Sequence, residues 1–216
     1  MSGKIYNNEP AIISLTSWKA RINTVSKTLF SLLKQCPGFH IVLVLSKEEF
    51  PKMEKELPSE LMLFFKNNLA ELLWVDKNFK SYKKWLFTAE KYPNVPIISA
   101  DDDCLYTCNY AKELYDHLVK EKLNYGFIRY TSRKVYVTLG PATLYKLKPD
   151  DVKFIINQLS NKGIPSDNDD ETISEYLNKL KYKMLCLSHT ILPFKFHDCI
   201  APIHKNQKNG FYKDYF

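Results

Sequence analysis

Signals for secretion, membrane insertion and structural zinc are missing from this sequence. Its N-terminus shows no basic region followed by an apolar one, and no apolar run approaches the ~18 residues of a membrane-spanning helix. The 5 cysteines form no C-x-x-C pair, and an odd count of this kind fits a reducing compartment. We therefore expect a cytoplasmic protein without a structural zinc site.

The composition is that of an ordinary globular domain. Hydrophobic residues make up 45% of the chain and charged residues 25%, and neither a repeat nor a low-complexity linker divides it. We expect a single domain over residues 1–216. The 31 Lys and Arg residues outnumber the 24 Asp and Glu residues, giving a net charge of +7. This balance suits anionic partners such as nucleotide diphosphates, nucleic acid or an anionic membrane face.

Apolar runs alternate with helical spacing along the first half of the chain. Strands are predicted at 11–15, 41–45, 72–75 and 96–99, and helices at 23–35, 51–57, 59–68 and 82–92. This alternation predicts an α/β fold with a mostly parallel, doubly wound sheet. Later strands at 126–130 and 134–139 lie too close together for a helical crossover, so we expect a mixed or antiparallel C-terminal part. The remaining predicted elements are helices at 109–122, at 150–159 and from 168, and a strand at 183–188.

Three consecutive carboxylates, Asp101, Asp102 and Asp103, directly follow the fourth predicted strand. Open α/β sheets bind ligands at the carboxyl ends of their strands, and three carboxylates packed there repel one another. A divalent cation with oxygen ligands would relieve this repulsion. The triplet therefore predicts a D-x-D site in which Asp101 and Asp103 hold a metal that carries a diphosphate. A solvated turn or a helix N-cap is the alternative.

Right-handed crossovers would bring the carboxyl ends of the first four strands to one edge of the sheet. The segments after these strands, 16–21, 46, 76–84 and 101–103, should then line one cleft. Three basic residues, Arg21, Lys83 and Lys84, are thereby expected opposite the carboxylates, where they would contact phosphate. A solvated basic face is the alternative for each of them.

A second acidic group opens the helix predicted from residue 168, and it consists of Asp167, Asp169, Asp170 and Glu171. An aspartate here would act as a general base on an acceptor hydroxyl, across the cleft from the metal. The helix dipole alone also favours acidic residues at this position. In the tail of residues 191–216, His197 and His204 are candidate metal ligands or phosphate contacts, and the alternative is that neither has such a role.

Six segments in this order resemble small bacterial glycosyltransferases of the GT-A fold, related to the family 2 type. They are ISLTSWKARI (13–22), LPSEL (57–61), WVDKNFKSYKKW (74–85), IISADDDCLY (97–106), GPATLY (140–145) and DNDDETISEYL (167–177). Two positions depart from the pattern of those enzymes. Thr172 stands where they have an aromatic residue after the Asp pair, and Ser46 stands where many have an Asp that meets the nucleobase.

The resemblance implies a nucleotide-diphosphate sugar donor, foremost a UDP-sugar, and Mn²⁺ or Mg²⁺ as cofactor. It implies a glycan or lipid-linked acceptor, as in bacterial surface polysaccharide synthesis, and no nucleic acid partner. Residues 1–107 would form the nucleotide-sugar half and residues 108–190 the acceptor half. The basic, aromatic tail of 191–216 is the candidate for peripheral contact with the inner membrane face.

The resemblance also implies roles for individual residues. The nucleotide-sugar-binding residues would be Thr16, Arg21, Lys83, Asp101 and Asp102. The metal ligands would be Asp101 and Asp103. Apart from the resemblance, His197 is a further candidate ligand from its residue type. Asp169 or Asp170 would be the catalytic base of an inverting displacement.

Two rival functions fit parts of the sequence. A phosphatase or phosphotransferase of the haloacid dehalogenase type also has a strand followed by D-x-D. It expects Thr or Val where Leu105 stands, and its motif usually opens the chain. A non-catalytic basic module for nucleic acid or acidic glycans fits the net charge of +7. The acidic triplet would repel such ligands unless a metal were present.

Overall fold

The computed structural model describes residues 10–35, 38–132, 143–163, 169–189 and 194–196. The strands are β1 (Ala11–Thr16), β2 (Phe39–Ser46), β3 (Glu71–Val75), β4 (Ile97–Ala100), β5 (Cys104–Tyr106), β6 (Gly126–Ser132), β7 (Thr143–Lys146), β8 (Lys183–His189) and β9 (Phe194–Phe196). The helices are α1 (Val25–Leu32), α2 (Ser59–Lys66), α3 (Lys83–Lys91), α4 (Tyr110–Lys120), α5 (Pro149–Lys162) and α6 (Asp169–Lys179). Among the helices of these ranges, none combines the length and apolar character needed to cross a bilayer.

Seven strands form one mixed sheet in the order β3-β2-β1-β4-β7-β6-β8. The first four of these run parallel, β7 is antiparallel to both β4 and β6, and β8 is parallel to β6. The predicted α/β fold, with a parallel first half and a mixed second half, is therefore confirmed. Because β7 reverses direction between them, β4 and β6 point the same way. Their carboxyl ends lie at one edge of the sheet, which we call the carboxyl edge.

Helices cover both faces of the sheet, which is why its strands read as continuous apolar runs. On one face, Leu15 of β1 belongs to a buried cluster with Leu29 of α1 and Leu114 of α4. On the other face, Ile12 of β1 belongs to a cluster that includes Trp85 of α3 and residues of α5 and α6. Neighbouring residues of a strand point to opposite faces, so β1 contributes to both clusters.

Several short elements differ from the sequence-based expectation. Within 51–57 the only helical element is the 3-10 helix Met53–Glu56, because Met53 has a backbone φ of +52°, which an α-helix cannot accommodate. β7 was not predicted, and neither was the pairing of β5 with β9. β5 and β9 have three residues each, which is too short to show a hydrophobic period, and β7 has only four. The strand predicted at 134–139 lies outside the described residues.

A cluster of hydrogen bonds surrounds Glu71, the first residue of β3, at the edge of the sheet opposite the carboxyl edge. Its carboxylate accepts hydrogen bonds from Lys91 and Tyr92, and it lies 2.8 Å from Nε2 of His40. Partial burial would raise the pKa of Glu71, but the bonds from His40, Lys91 and Tyr92 outweigh it and lower the pKa from 4.5 to about 2. The ionised carboxylate therefore stabilises the folded state.

We expect Glu71→Gln to lower the free energy of unfolding at pH 7 by ~2–3 kcal/mol. A carboxyl group whose pKa falls on folding contributes fully above its unfolded value of 4.5, and the contribution is lost as pH falls towards about 2. Urea denaturation at pH 7 and at pH 3 should show the gap between wild type and variant narrowing at the lower pH. Glu90→Gln, on the exposed side of α3, is the matched control. An equal gap at both pH values would contradict this account.

Candidate functional site

The acidic triplet, Asp101 to Asp103, lies at the carboxyl edge, directly after β4. β4 pairs with β1 in parallel, with Ala100 opposite Leu15. The residues that follow β1 therefore lie next to the triplet. This register explains why a turn 81 residues away in sequence supplies the arginine that meets Asp102.

Arg21 is the main cation of the site, and its side chain is only 2% exposed. Its Nη1 lies 2.7 Å from Oδ1 of Asp102 and 3.1 Å from Oδ2 of Asp103. Ser17 donates a second hydrogen bond to Asp102, from Oγ to Oδ2 at 2.7 Å. Burial raises the pKa of Asp102, and Arg21 and Ser17 act against that rise. Both carboxylate oxygens of Asp102 are thus engaged by the protein itself, which makes Asp102 an anchor for the turn.

Asp101 and Asp103 flank this anchor and are less completely paired. Asp101 is 29% exposed and accepts a hydrogen bond of 3.0 Å from Nζ of Lys84. Asp103 is buried, and its desolvation together with the charge of Asp101 raises its pKa to about 6, with Arg21 acting in the opposite direction. Two described cations, Arg21 and Lys84, face the three carboxylates of the triplet. The site therefore carries a surplus of negative charge.

Lys83 lies at the same edge, but its ammonium group faces a different partner. Nζ donates to Oε2 of Glu49 at 2.7 Å and also to the side-chain oxygen of Asn78. Ser46 donates to the same Glu49 oxygen at 2.9 Å. Burial lowers the pKa of Lys83, and the nearby Glu49 opposes that change.

The grouping of Arg21 and Lys84 with the triplet, which sequence reasoning predicted, is present in the structure, whereas the ammonium group of Lys83 is bonded to other residues. Thr16 also turns away from the triplet, since its Oγ1 donates to the carbonyl oxygen of Val44 at 2.7 Å. Glu49 and Asn78 were not singled out from the sequence. The rule that selects residues just after a strand would have found Glu49, which follows β2 by three residues.

Asp169, Asp170 and Glu171 of the second acidic group are the first three residues of α6, which begins at Asp169. Ser174 of this helix accepts a hydrogen bond from Arg129 of β6 at 2.9 Å. Further along, the chain leaves α6 and enters β8 at Lys183, which pairs with Gly126 at the amino end of β6. The helix therefore runs away from the carboxyl edge, and its first residues lie towards that edge. The side chains of 169–171 are not described, and Asp167, His197 and His204 lie outside the described residues.

Protein ligands for a metal are few at this edge. Within the described ranges, no group of three or more His, Cys, Asp or Glu side chains is arranged to hold a metal ion. Mg²⁺ is usually bound through one or two carboxylates plus substrate phosphates and water, so a site of this type needs only a small protein contribution. Asp101 and Asp103 provide hard oxygen ligands and an excess of negative charge, and in this respect they fit Mn²⁺ or Mg²⁺.

The fold resembles that of solved GT-A-fold glycosyltransferases. The chain matches the mannosyltransferase PcManGT from Pyrobaculum calidifontis, solved with GDP-Man and Mn²⁺, at a TM-score of 0.58 and 11% identity, over 95% of this chain and 61% of that one. It matches S. aureus TarS 1–349 in complex with UDP at a TM-score of 0.55 and 13% identity, over 85% of this chain and 58% of that one.

A third match is a cytidylyltransferase from Leptospira borgpetersenii serovar Hardjo-bovis. Its TM-score is 0.55 at 12% identity, over 97% of this chain and 87% of that one. No protein-family model matches the chain, and no curated protein matches it in sequence. At 11–13% identity these likenesses establish the fold.

Proposed function

We propose that this protein is a metal-dependent glycosyltransferase that moves a sugar from a nucleotide-diphosphate donor to a hydroxyl group of an acceptor. One observation carries the proposal. Asp101 and Asp103 lie at the carboxyl edge of a GT-A-like sheet with more negative charge than Arg21 and Lys84 balance. Such a site favours a cation, and a cation there favours a diphosphate.

In this proposal Asp101 and Asp103 hold the Mn²⁺ or Mg²⁺ ion. When bound, the ion offsets the charge that develops on the diphosphate leaving group. Asp102 contributes by fixing Arg21 and the turn, and Arg21 supplies positive charge beside the phosphates. His197 is retained as a further candidate ligand.

The nucleoside would lie towards β1 and β2, next to Thr16. Glu49 follows β2 and is oriented by Ser46 and Lys83. A carboxylate there can accept the N–H of a uracil base, the role that relatives give to an Asp after the second strand. This supports a UDP-sugar as the donor, and it gives Lys83 a positioning role for Glu49.

The transfer step needs a base on the acceptor side, and we assign it to Asp169 or Asp170. The carboxylate takes the proton of the acceptor hydroxyl. At the same time the hydroxyl oxygen forms a bond to the anomeric carbon of the donor sugar. The bond from that carbon to the diphosphate breaks, the nucleoside diphosphate leaves, and the configuration inverts. The direction of α6 supports the assignment, because its first residues lie towards the edge that carries the triplet.

The acceptor in this proposal is a glycan or a lipid-linked glycan, of the kind used in bacterial surface polysaccharide synthesis. A lipid-linked acceptor would bring the protein to a membrane surface. The 191–216 tail, with its lysines and aromatic residues, is suited to an anionic headgroup layer.

Nucleotidyl transfer is the second candidate, because the cytidylyltransferase match covers 87% of that chain. In that reaction an acceptor oxygen attacks the α-phosphorus of CTP and pyrophosphate leaves. The two reactions therefore differ in their nucleotide product.

Thermal unfolding in the presence of candidate nucleotides tests the proposal and separates its rivals. We expect a UDP-sugar or another nucleotide-diphosphate sugar to raise the melting temperature with Mn²⁺ present and to have little effect without it. With Mn²⁺ present, the protein should also slowly release the nucleoside diphosphate from the nucleotide-diphosphate sugar. CTP consumption with pyrophosphate release would favour nucleotidyl transfer, and hydrolysis of phosphomonoesters would favour a phosphatase. If no nucleotide stabilises the protein, the proposal fails.

A further inference from the structure

Arg129 is a buried cation that the transfer mechanism does not use. It lies in β6 and is only 1% exposed. Its Nη1 donates to Oγ of Ser174, and its guanidinium carbon lies 5.1 Å from the centre of the Phe127 ring. These contacts hold the guanidinium between β6 and α6.

The other two nitrogens of Arg129, Nε and Nη2, are buried and have no hydrogen-bond partner among the described residues. Their N–H groups lie along one edge of the planar guanidinium, the edge that binds two oxygens of a carboxylate or phosphate at once. Among the described side chains, none supplies a counter-charge to Arg129, and a buried cation without one is strongly destabilising, so this side of the guanidinium favours an oxyanion. A charge-assisted bidentate pair is the strongest contact that such an edge makes.

The place of Arg129 in the sheet shows where its Nε and Nη2 atoms lie relative to the acidic triplet and α6. Hydrogen-bonded strands pair Ser99 of β4 with Thr143 of β7, and Thr143 with Arg129 of β6. Two strand spacings separate Ser99 from Arg129, about 10 Å in all. The acidic triplet begins two residues beyond Ser99, on the side of the carboxyl edge. Arg129 therefore lies on the far side of the triplet from β1 and β2, close to α6.

We propose that Arg129 binds an anionic group, a carboxylate or a phosphate, carried by the acceptor. The inference rests on the proposed function. In that proposal the donor binds on the side of the triplet that faces β1 and β2, and the acceptor binds on the side that faces α6. An acceptor seated between the triplet and α6 has its reactive hydroxyl near the start of α6 and its anionic group at the Arg129 edge. The acceptor class is thus an acidic sugar or a phosphorylated polyol.

Calorimetry with glycerol 3-phosphate tests the site directly, with glycerol as its neutral match. The protein is first saturated with UDP and Mn²⁺, so that the diphosphate site is filled. We expect glycerol 3-phosphate to bind and glycerol not to bind. Arg129→Lys keeps the charge but removes the two-pronged edge, and it should weaken binding at least ~10-fold. Lys148→Met removes one charge from the opposite edge of the sheet and should leave binding unchanged.

Turnover with matched acceptors adds a readout that a purely structural arginine would not move. Release of UDP from the donor should be stimulated more by glycerol 3-phosphate than by glycerol, or more by glucuronate than by glucose. The pair that shows the larger effect identifies phosphate or carboxylate as the group. In Arg129→Lys the KM for the anionic acceptor should rise ~10-fold, while acceptor-independent release of UDP stays at the wild-type rate.

The outcomes separate the two proposals. If the donor stabilises the protein and UDP is released, but wild type treats anionic and neutral acceptors alike, the role of Arg129 is overturned and the transferase stands. Wild-type behaviour of a folded Arg129→Lys variant overturns it equally. If no donor binds, both proposals fall together.

Discussion

The substitution Asp103→Asn should strongly weaken the Mn²⁺-dependent binding of a nucleotide-diphosphate donor. Asp103→Asn keeps the size of the side chain but removes one of the two carboxylates proposed as metal ligands. We expect a loss of affinity on the order of 100-fold or more. Calorimetry with UDP in the presence and absence of Mn²⁺ measures it, and the small metal-independent component should remain.

Stability should move in the opposite direction from binding in this variant. Burial and the charge of Asp101 raise the pKa of Asp103 to about 6 from 3.8, so the ionised group destabilises the folded state at neutral pH. A neutral amide removes that cost. We therefore expect metal-free Asp103→Asn to unfold at the same temperature as wild type or at a higher one, as is common when an active-site charge is removed.

Asp102→Asn is the informative control, because Asp102 shares the contact with Arg21 but is also bonded by Ser17 and is not a proposed metal ligand. Its two oxygens accept from Arg21 and Ser17, so an amide there loses a charge-assisted bond, and this loss opposes the gain from removing a carboxylate whose pKa burial raises. We therefore expect metal-free Asp102→Asn to unfold at a lower temperature than metal-free Asp103→Asn. Metal-dependent binding should persist in the fraction that folds. If instead Asp102→Asn loses binding and Asp103→Asn retains it, the roles within the triplet are reversed.

Much of this edge could be predicted from sequence because it depends on periodicity. Apolar runs locate the strands, parallel strands share an edge, and the residues after them meet there. Arg21 is far from Asp102 in sequence, yet the order of strands alone brings the two segments together. The protein itself partly neutralises the triplet, since Arg21 and Lys84, two of the three basic residues expected there, meet its carboxylates.

Which carboxylate each of the two adjacent lysines contacts could not be predicted from the order and spacing of the strands. Consecutive residues of an α-helix are rotated by about 100°, so Lys83 and Lys84 at the start of α3 cannot point to the same place. Lys84 meets Asp101, and Lys83 meets Glu49. Their separation depends on the rotation of α3 about its own axis, and tertiary packing sets that rotation.

The burial of Arg129 could not be predicted from the sequence for a different reason. A single arginine in an apolar segment reads as an exposed position, since charged side chains are seldom fully buried. The alternation along β6 does carry a signal, because residues two apart share a face and Phe127 is a core residue. Only the packing of α6 over that face shows that the guanidinium is enclosed.

Replacement of the aspartates at the start of α6 should reduce transfer by ~10²- to 10⁴-fold while leaving donor binding intact. Asp170→Asn is expected to have the larger effect. Position 170 precedes Ser174 by four residues, a rotation of about 40° about the helix axis, whereas position 169 is rotated by about 140°. Position 170 thus lies on nearly the same side of α6 as Ser174, which contacts β6 through Arg129.

Single-turnover assays with saturating donor and Mn²⁺ separate the effect on transfer from any effect on donor binding. A rise in melting temperature on adding the donor shows that the donor still binds to the variant. Glu175→Gln, at an exposed position of the same helix, is the matched control and should transfer at the wild-type rate. A general base also leaves a trace in the pH profile, because its removal abolishes the acidic limb of the rate. Full transfer by both Asp169→Asn and Asp170→Asn would locate the base on another element of the carboxyl edge.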